Sequence, residues 1–392
     1  MAHLHARRTA YHSGGGQART RLEYITRQPL HALDRAAQQL RYVAGEREDL
    51  VYTNSRNLPD WAQGTPHTYF KAAEQYERAG GVAFEEWKIS VPRELSHGEN
   101  MELTRDLVDA MAGDTLPIVY AFHDPVALDG EQQPHLHLLI SARRNDEYSR
   151  TPEQHFKRYN RVHPERGGAE KDPAFGHLGA VKATRVLISD VINLHLEAHG
   201  LDARVHPDTL ESRGIARAPE PKLLPSESAA YRERGAVSAT MQEVLAIRGR
   251  SAYEKQEELR TVWSYWLQRK TELGITPDMS LTDQVQCAVA ARQFVAMFPP
   301  NRVPSLETLR GLLKAQEARR VQVPQYSTEY AQRVARQERS ARQRSEREHQ
   351  ALTWALRQGL RHLARQQDPQ AGSALNVRIP RVETEREQGM GL

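Results

Sequence analysis

Apolar residues along the first 220 positions alternate between two periods. Pro134-His135-Leu136-His137-Leu138-Leu139-Ile140-Ser141 has period two, so as a strand it sends His135 and His137 to one face and Leu136, Leu138 and Ile140 to the other. Leu116 to His123 is a second apolar run, with His123 at its end on the face shared by Ala121 and Val119. Pro125, Asp129 and Gly130 lie between the two runs and are turn residues. The pattern predicts an antiparallel hairpin that sets His123 beside His135. Ala83 to Val91 also alternates, with Phe84, Glu86, Lys88 and Ser90 on one side and Ala83, Trp87, Ile89 and Val91 facing a core. A strand is further predicted within Met1 to Arg8, and a short extended piece at Asp202 to Val205.

Helical spacing fills the gaps. Thr68 to Arg78 follows Pro66 and stops at Gly80-Gly81, and Ser96 with Glu99 makes a capping box ahead of Met101, Leu103, Leu107, Val108 and Met111. Leu178 to His199 is a strong helix ending at Gly200. Beyond Pro219, Pro221 and Pro225 the pattern is helical throughout: Ser226 to Arg248, Ala252 to Leu273, Ser280 to Met297, Ser305 to Arg320, then a long helix from about Thr328 to Arg365. These patterns predict an α+β or α/β domain followed by an all-α C-terminal region. The organisation is residues 1–220 as the first domain, 221–325 as a helical region, 326–366 as a long basic helix and 367–392 as a disordered tail.

Charge sharpens this division. The 392 residues carry only +4, from 54 basic and 50 acidic side chains, yet residues 314–365 hold 12 Lys or Arg against 5 Asp or Glu. Arg333, Arg336, Arg339 and Arg342 form a basic stripe, and Leu352, Leu356, Leu360 and Leu363 an apolar face on the following turns. A polyanion partner and a solvated helix both account for it. A single cysteine, Cys287, excludes an internal disulfide framework and a multi-cysteine zinc module, and fits a reducing cytoplasm. The sequence offers no apolar run of membrane-spanning length and no apolar signal core, so a cytoplasmic protein without membrane insertion is expected.

Three neutral imidazoles with an open coordination position would be a catalytic metal pattern. Spacing alone weighs this equally against a solvated histidine pair, and His3-Leu4-His5 shows that His-x-His recurs without support. A metal site acting on a phosphoryl group needs a nucleophile. Tyr24 stands among Arg19, Arg21 and Arg27, after a Gly-rich turn at Gly14-Gly15-Gly16 that lacks a phosphate-loop pattern. An ordinary phenol has a pKa of about 10, so the arginines and an ion would have to favour the phenolate. His155-Phe156-Lys157-Arg158-Tyr159-Asn160, with Arg161, Arg166 and Lys171, interleaves rings and cations as single-strand nucleic-acid surfaces do. A solvated loop would look the same.

Taken together, these residues resemble the MobA/MobL type of conjugative relaxase, within the HUH endonuclease superfamily. Tyr24-Ile25-Thr26-Arg27 resembles the motif of the nucleophilic tyrosine, and His123 with His135-Leu136-His137 the three-histidine motif. Phe156 to Asn160, Pro164 to Lys171, and Thr209-Leu210-Glu211 with Gly214-Ile215 resemble later signatures. The resemblance covers about Met1 to Pro219 in motif order. It implies an HUH-type antiparallel sheet with flanking helices and a single-tyrosine enzyme that nicks one DNA strand at a plasmid origin of transfer. The implied intermediate is a 5′-phosphotyrosyl adduct, which the enzyme then rejoins. Tyr24 would be the nucleophile, with Tyr11 as its rival. His123, His135 and His137 would hold Mg or Mn, and Glu86 would be the acidic residue beside them. Arg27, Phe156, Lys157, Arg158, Tyr159, Asn160, Arg166 and Lys171 would bind DNA. Relaxosome accessory proteins and a coupling protein are the implied partners. The family's further histidine-containing segment after Gly214-Ile215 is missing from Ala218-Pro219-Glu220-Pro221-Lys222. A rolling-circle replication initiator and a non-catalytic DNA-binding accessory protein are the rival readings.

Overall fold

The computed structural model describes residues 4–27, 49–127, 130–146, 148–177, 179–215, 220–249, 252–298, 302–318, 351–360 and 363. Five antiparallel strands form one sheet in the order β1-β3-β5-β4-β2, with β1 Ala6–His12, β2 Leu50–Arg56, β3 Val82–Ser90, β4 Ile118–His123 and β5 His135–Ile140. The expected α+β class with an antiparallel sheet is therefore found. Helices α1 Ala18–Thr26, α2 Pro66–Tyr76, α3 His97–Ala112, α4 Pro152–His155, α5 Pro173–Gly176 and α6 Ala180–Ala198 accompany it. The helical region follows as α7 Pro225–Arg234, α8 Ala239–Arg248, α9 Ala252–Leu273, α10 Leu281–Met297 and α11 Leu306–Ala318.

The sheet is covered on both faces, and the alternation within each strand decides which side chain goes where. Leu136, Leu138 and Ile140 of β5, Trp87 and Ile89 of β3, and Ile118, Tyr120 and Phe122 of β4 form one cluster. It continues through α3 and α6 to Trp266, Leu273, Val285 and Cys287 of α9 and α10. The change of texture near Pro219 is thus no break in the core. On the opposite face Phe84, Val119, Ala121 and Leu139 pack with Ala18, Leu22 and Ile25 of α1, and with Tyr69, Phe70 and Ala73 of α2. This face carries the candidate site.

Several elements differ from the sequence reading. The first strand is Ala6–His12, so Tyr11 and His12 belong to the sheet instead of the glycine turn. Leu22 to Arg27 is mostly helix α1. Strand β2 went unread because it is an edge strand with a largely exposed, non-alternating pattern. Asp202 to Val205 joins no strand. Ser226 to Arg248 is two helices, because Gly235 takes a left-handed φ of 64° that closes α7. The capping box at Ser96 and Glu99 is formed in both directions. Of the long basic helix only 351–360 and 363 are described; there Leu356 and Leu360 are buried against Phe294 and Leu309, with Leu352 and Leu363 alongside. Arg333, Arg336, Arg339, Arg342 and the tail 367–392 lie outside the described residues.

Candidate active site

The hairpin register sets His123 opposite His135 and Ala121 opposite His137. Small Ala121 leaves the space that the rings occupy. The ring centroids are 5.5 Å apart for His123 and His135, and 5.2 Å for each of the other two pairs. All three side chains are buried. Burial pushes the imidazoles of His123 and His135 down to about 4 and about 3, and lowers His137 as well, so all three are neutral at neutral pH.

Hydrogen bonds fix the tautomers. A carbonyl only accepts, so His135 donates through Nδ1 to Gln133 O at 3.0 Å. His137 donates through Nδ1 to Glu86 Oε1 at 2.9 Å, leaving its Nε2 buried with no partner among the described residues. Both rings therefore hold a lone pair on Nε2, the arrangement that outer-shell partners create for a metal ligand. His123 is different. Its Nε2 lies 2.8 Å from Ile25 O and its Nδ1 3.4 Å from Asp49 Oδ2, and a neutral ring can donate to only one of them.

Among the described residues no group of three His, Cys, Asp or Glu side chains is poised to hold an ion as it stands. The donor chemistry fits one nonetheless, through the orphaned Nε2 of His137 and the Nε2 lone pair of His135, with the neutral ring of His123 beside them. The adjustment required is that His123 release Ile25 O and donate through Nδ1 to Asp49.

Tyr24 reaches this cluster from the end of α1. Its ring meets His137 edge-on at 5.7 Å, and the residue is 37% exposed to solvent. Arg21 and Arg27 place their guanidinium carbons 4.6 and 4.7 Å from its centroid. Each arginine is in turn held by a carboxylate that also touches a histidine. Glu86 takes Nε and Nη2 of Arg21 at 2.9 and 2.6 Å while accepting from His137. Asp49 takes Nε and Nη2 of Arg27 at 3.0 and 2.8 Å and faces His123. Arg27 ends the helix in a left-handed conformation, φ 53°, which strains a residue with a Cβ. The Asp49 pair and the bond from Nη1 to Tyr24 O, 2.5 Å, offset that strain.

Burial works to raise the carboxyl of Glu86, but hydrogen bonds from His137, Arg21 and Tyr11 prevail and hold it at about 2. Asp49 is likewise held at about 2, with Arg27 outweighing burial. Tyr11 is less suited to be a nucleophile. Its hydroxyl donates to Glu86 at 2.8 Å, and burial together with that carboxylate pushes its pKa up to about 12.

The expected DNA-binding loop is more structural than its sequence suggested. Phe156 is 2% exposed and packs among Trp61, Tyr69 and His155, so it is a core residue and no stacking platform. Asn160 spends its side-chain oxygen on the backbone N–H groups of Val162 and His163. Lys171 pairs with Glu77 at 3.1 Å, and Arg27 with Asp49. Lys157, Arg158 and Arg166 are exposed, Lys157 beside Glu153, and Tyr159 is half-buried. The loop is organised by Arg143, which the sequence reading missed. It is buried against both oxygens of Glu77 at 3.0 Å and donates to the carbonyls of Phe156, Lys157 and Ala169. Asp49 and Lys88 were missed too. Lys88 shares the parity of Glu86, which is a usable signal, whereas Asp49 had none.

The chain belongs to the MobA/MobL family, whose model matches residues 24–233. It is 35% identical over 225 residues to "Mobilization protein A" of Escherichia coli, a match covering 57% of this chain and 29% of that one. It is also 35% identical over 189 residues to the "43 kDa relaxation protein" of Salmonella typhimurium, covering 47% and 51%. The chain thus spans about half or less of these relatives' length. A solved structure described as "Molecular Basis of Vancomycin Resistance Transfer in Staphylococcus aureus" aligns with 53% of this chain and all of its own, at 18% identity and a TM-score of 0.38. Among the described residues no helix is long and apolar enough to cross a membrane.

Proposed function

We propose that this protein is a conjugative mobilisation relaxase that nicks one strand of DNA at an origin of transfer and rejoins it. The observation that carries the reading is the Tyr24 ring 5.7 Å from His137, beside two further convergent imidazoles, in a chain of this family. Tyr24 Oη attacks the scissile phosphorus. The new P–O bond to tyrosine forms as the P–O3′ bond breaks, the phenol proton ends on the released 3′ hydroxyl, and the 5′ end stays on the protein. Reversal by a 3′ hydroxyl restores the strand, so the reaction needs no outside energy source.

Arg21 and Arg27 each lie over the phenol ring and would supply positive charge next to the phosphate oxygens. Glu86 and Asp49 orient those arginines and the rings of His137 and His123. A divalent ion, Mg or Mn, held by His123, His135 and His137 would supply Lewis-acid stabilisation of the charge on the non-bridging oxygens.

The test is a denaturing gel with labelled single-stranded oligonucleotides tiling both strands of the DNA element that encodes the protein, with Mn present or with EDTA. A covalent adduct is expected from the wild type with Mn and from Tyr11→Phe. Tyr24→Phe and EDTA should abolish it. An adduct from Tyr24→Phe would refute the nucleophile. Gel shifts with no adduct at any metal concentration would instead identify a non-catalytic DNA-binding accessory protein.

A further inference from the structure

Among the described residues, two cations on the site face form no ion pair. Lys88 is paired in the strand register with His137 of β5 on one side and with Arg7 of β1 on the other. The alternation that sends Trp87 and Ile89 into the opposite core therefore sends Lys88 and Arg7 to the histidine face. Lys88 is half-buried and Arg7 is exposed on the edge strand.

Their neighbours are already committed. Glu86 is taken by Arg21 and Tyr11, Asp49 by Arg27, and Glu85 on the other face by Arg8. Lys88 lies within the field of Glu86 and Asp49 and of Arg27 and Arg21, yet forms no ion pair or hydrogen bond among the described residues. A partly desolvated ammonium without a partner costs stability, so its place beside three imidazoles calls for an anion that arrives with the substrate.

We infer that Lys88, with Arg7 at the entrance, binds a backbone phosphate of single-stranded DNA next to the three-histidine cluster. This rests on the relaxase reading and adds to it a path for the strand. The DNA would approach the cluster across the β1–β3 edge of the sheet, opposite the side where β2 lies, and its phosphate would complete the hydrogen bonding of Lys88. The contact is to phosphate and not to a base, so it contributes affinity and position without sequence preference.

The experiment measures binding of fluorescein-labelled dT20 to the full chain by fluorescence anisotropy across a salt series, alongside the melting temperature of the DNA-free protein. Lys88→Gln should weaken binding by roughly tenfold, the loss of one charge-assisted contact. It should also reduce the slope of log affinity against log salt by about 0.7. Lys88→Arg should stay close to wild type. The DNA-free Lys88→Gln protein should melt at the same temperature as wild type or higher, because an uncompensated charge has been removed. Unchanged affinity and slope would overturn the inference. So would a fall in melting temperature alongside the loss of affinity, which marks a packing role. The relaxase reading is judged separately, by the Tyr24 adduct. A missing adduct leaves the dT20 slope readable, and a normal adduct with an unaltered slope removes Lys88 alone.

Discussion

Replacing Glu86 with glutamine tests the hub of the site without changing its volume. The carboxylate accepts from Tyr11, twice from Arg21 and once from His137, and its pKa stands at about 2 instead of 4.5. At about 1.4 kcal/mol per tenfold change, that displacement bounds the contribution of the negative charge at roughly 3 kcal/mol at neutral pH. The side chain is only 7% exposed, so solvent screening removes little of it. The sign follows from linkage. A carboxylate with a depressed folded-state pKa stabilises fully above its unfolded value near 4.5, and the benefit is lost as pH falls toward 2.

Urea denaturation of wild type and Glu86→Gln should therefore show a gap of about 2–3 kcal/mol that is flat from pH 7 to pH 5. The gap should narrow by about 1 kcal/mol at pH 4 and about 2 kcal/mol at pH 3, because the carboxyl of the unfolded wild-type chain then takes up a proton while the folded one, at about 2, stays ionised. Both carboxylate oxygens accept from Arg21, so the amide must turn an N–H toward that guanidinium in either orientation, and Tyr24 loses one of its two neighbouring guanidiniums. A gap that does not change with pH, or a glutamine variant as stable as wild type, would refute the account of Glu86 as the charged centre of this network.

Two further outcomes follow from the loop. Arg143→Met leaves Glu77 buried with only Lys171 to balance it and strands three carbonyls, so urea denaturation should show a loss of about 3–5 kcal/mol; a loss below about 1 kcal/mol would count against its central place. Gly168→Ala brings a Cβ to 2.0 Å from Lys157 O, a backbone atom that cannot simply swing away, so about 1–3 kcal/mol should be lost along with protection of residues 155–171 from protease; unaltered melting and cleavage would count against the close approach.

The sequence by itself determined the parts of this protein that depend on near neighbours in the chain. Alternation in β5 settled which face its histidines take, and the apolar run ending at His123, followed by turn residues, settled the hairpin that pairs it with His135. The capping box before α3 and the periodicity of α9 and α10 were equally local. Tyr24 was singled out first by the arginines around it and then by its resemblance to a motif, and the flanking arginines alone would suit a packed surface tyrosine as well.

What the tertiary structure decided involved groups brought together from distant parts of the chain. Asp49 reaches Arg27 and His123 only because an edge strand too exposed to alternate pairs with β4. An aromatic next to lysine and arginine reads as a nucleic-acid surface, yet Phe156 is buried because α2 and Trp61 lie over it, and no local pattern encodes what lies above a residue. Lys88 had a readable face but no readable role. Its significance comes from every neighbouring carboxylate being already engaged, and charge balance of that kind is a property of the folded site as a whole.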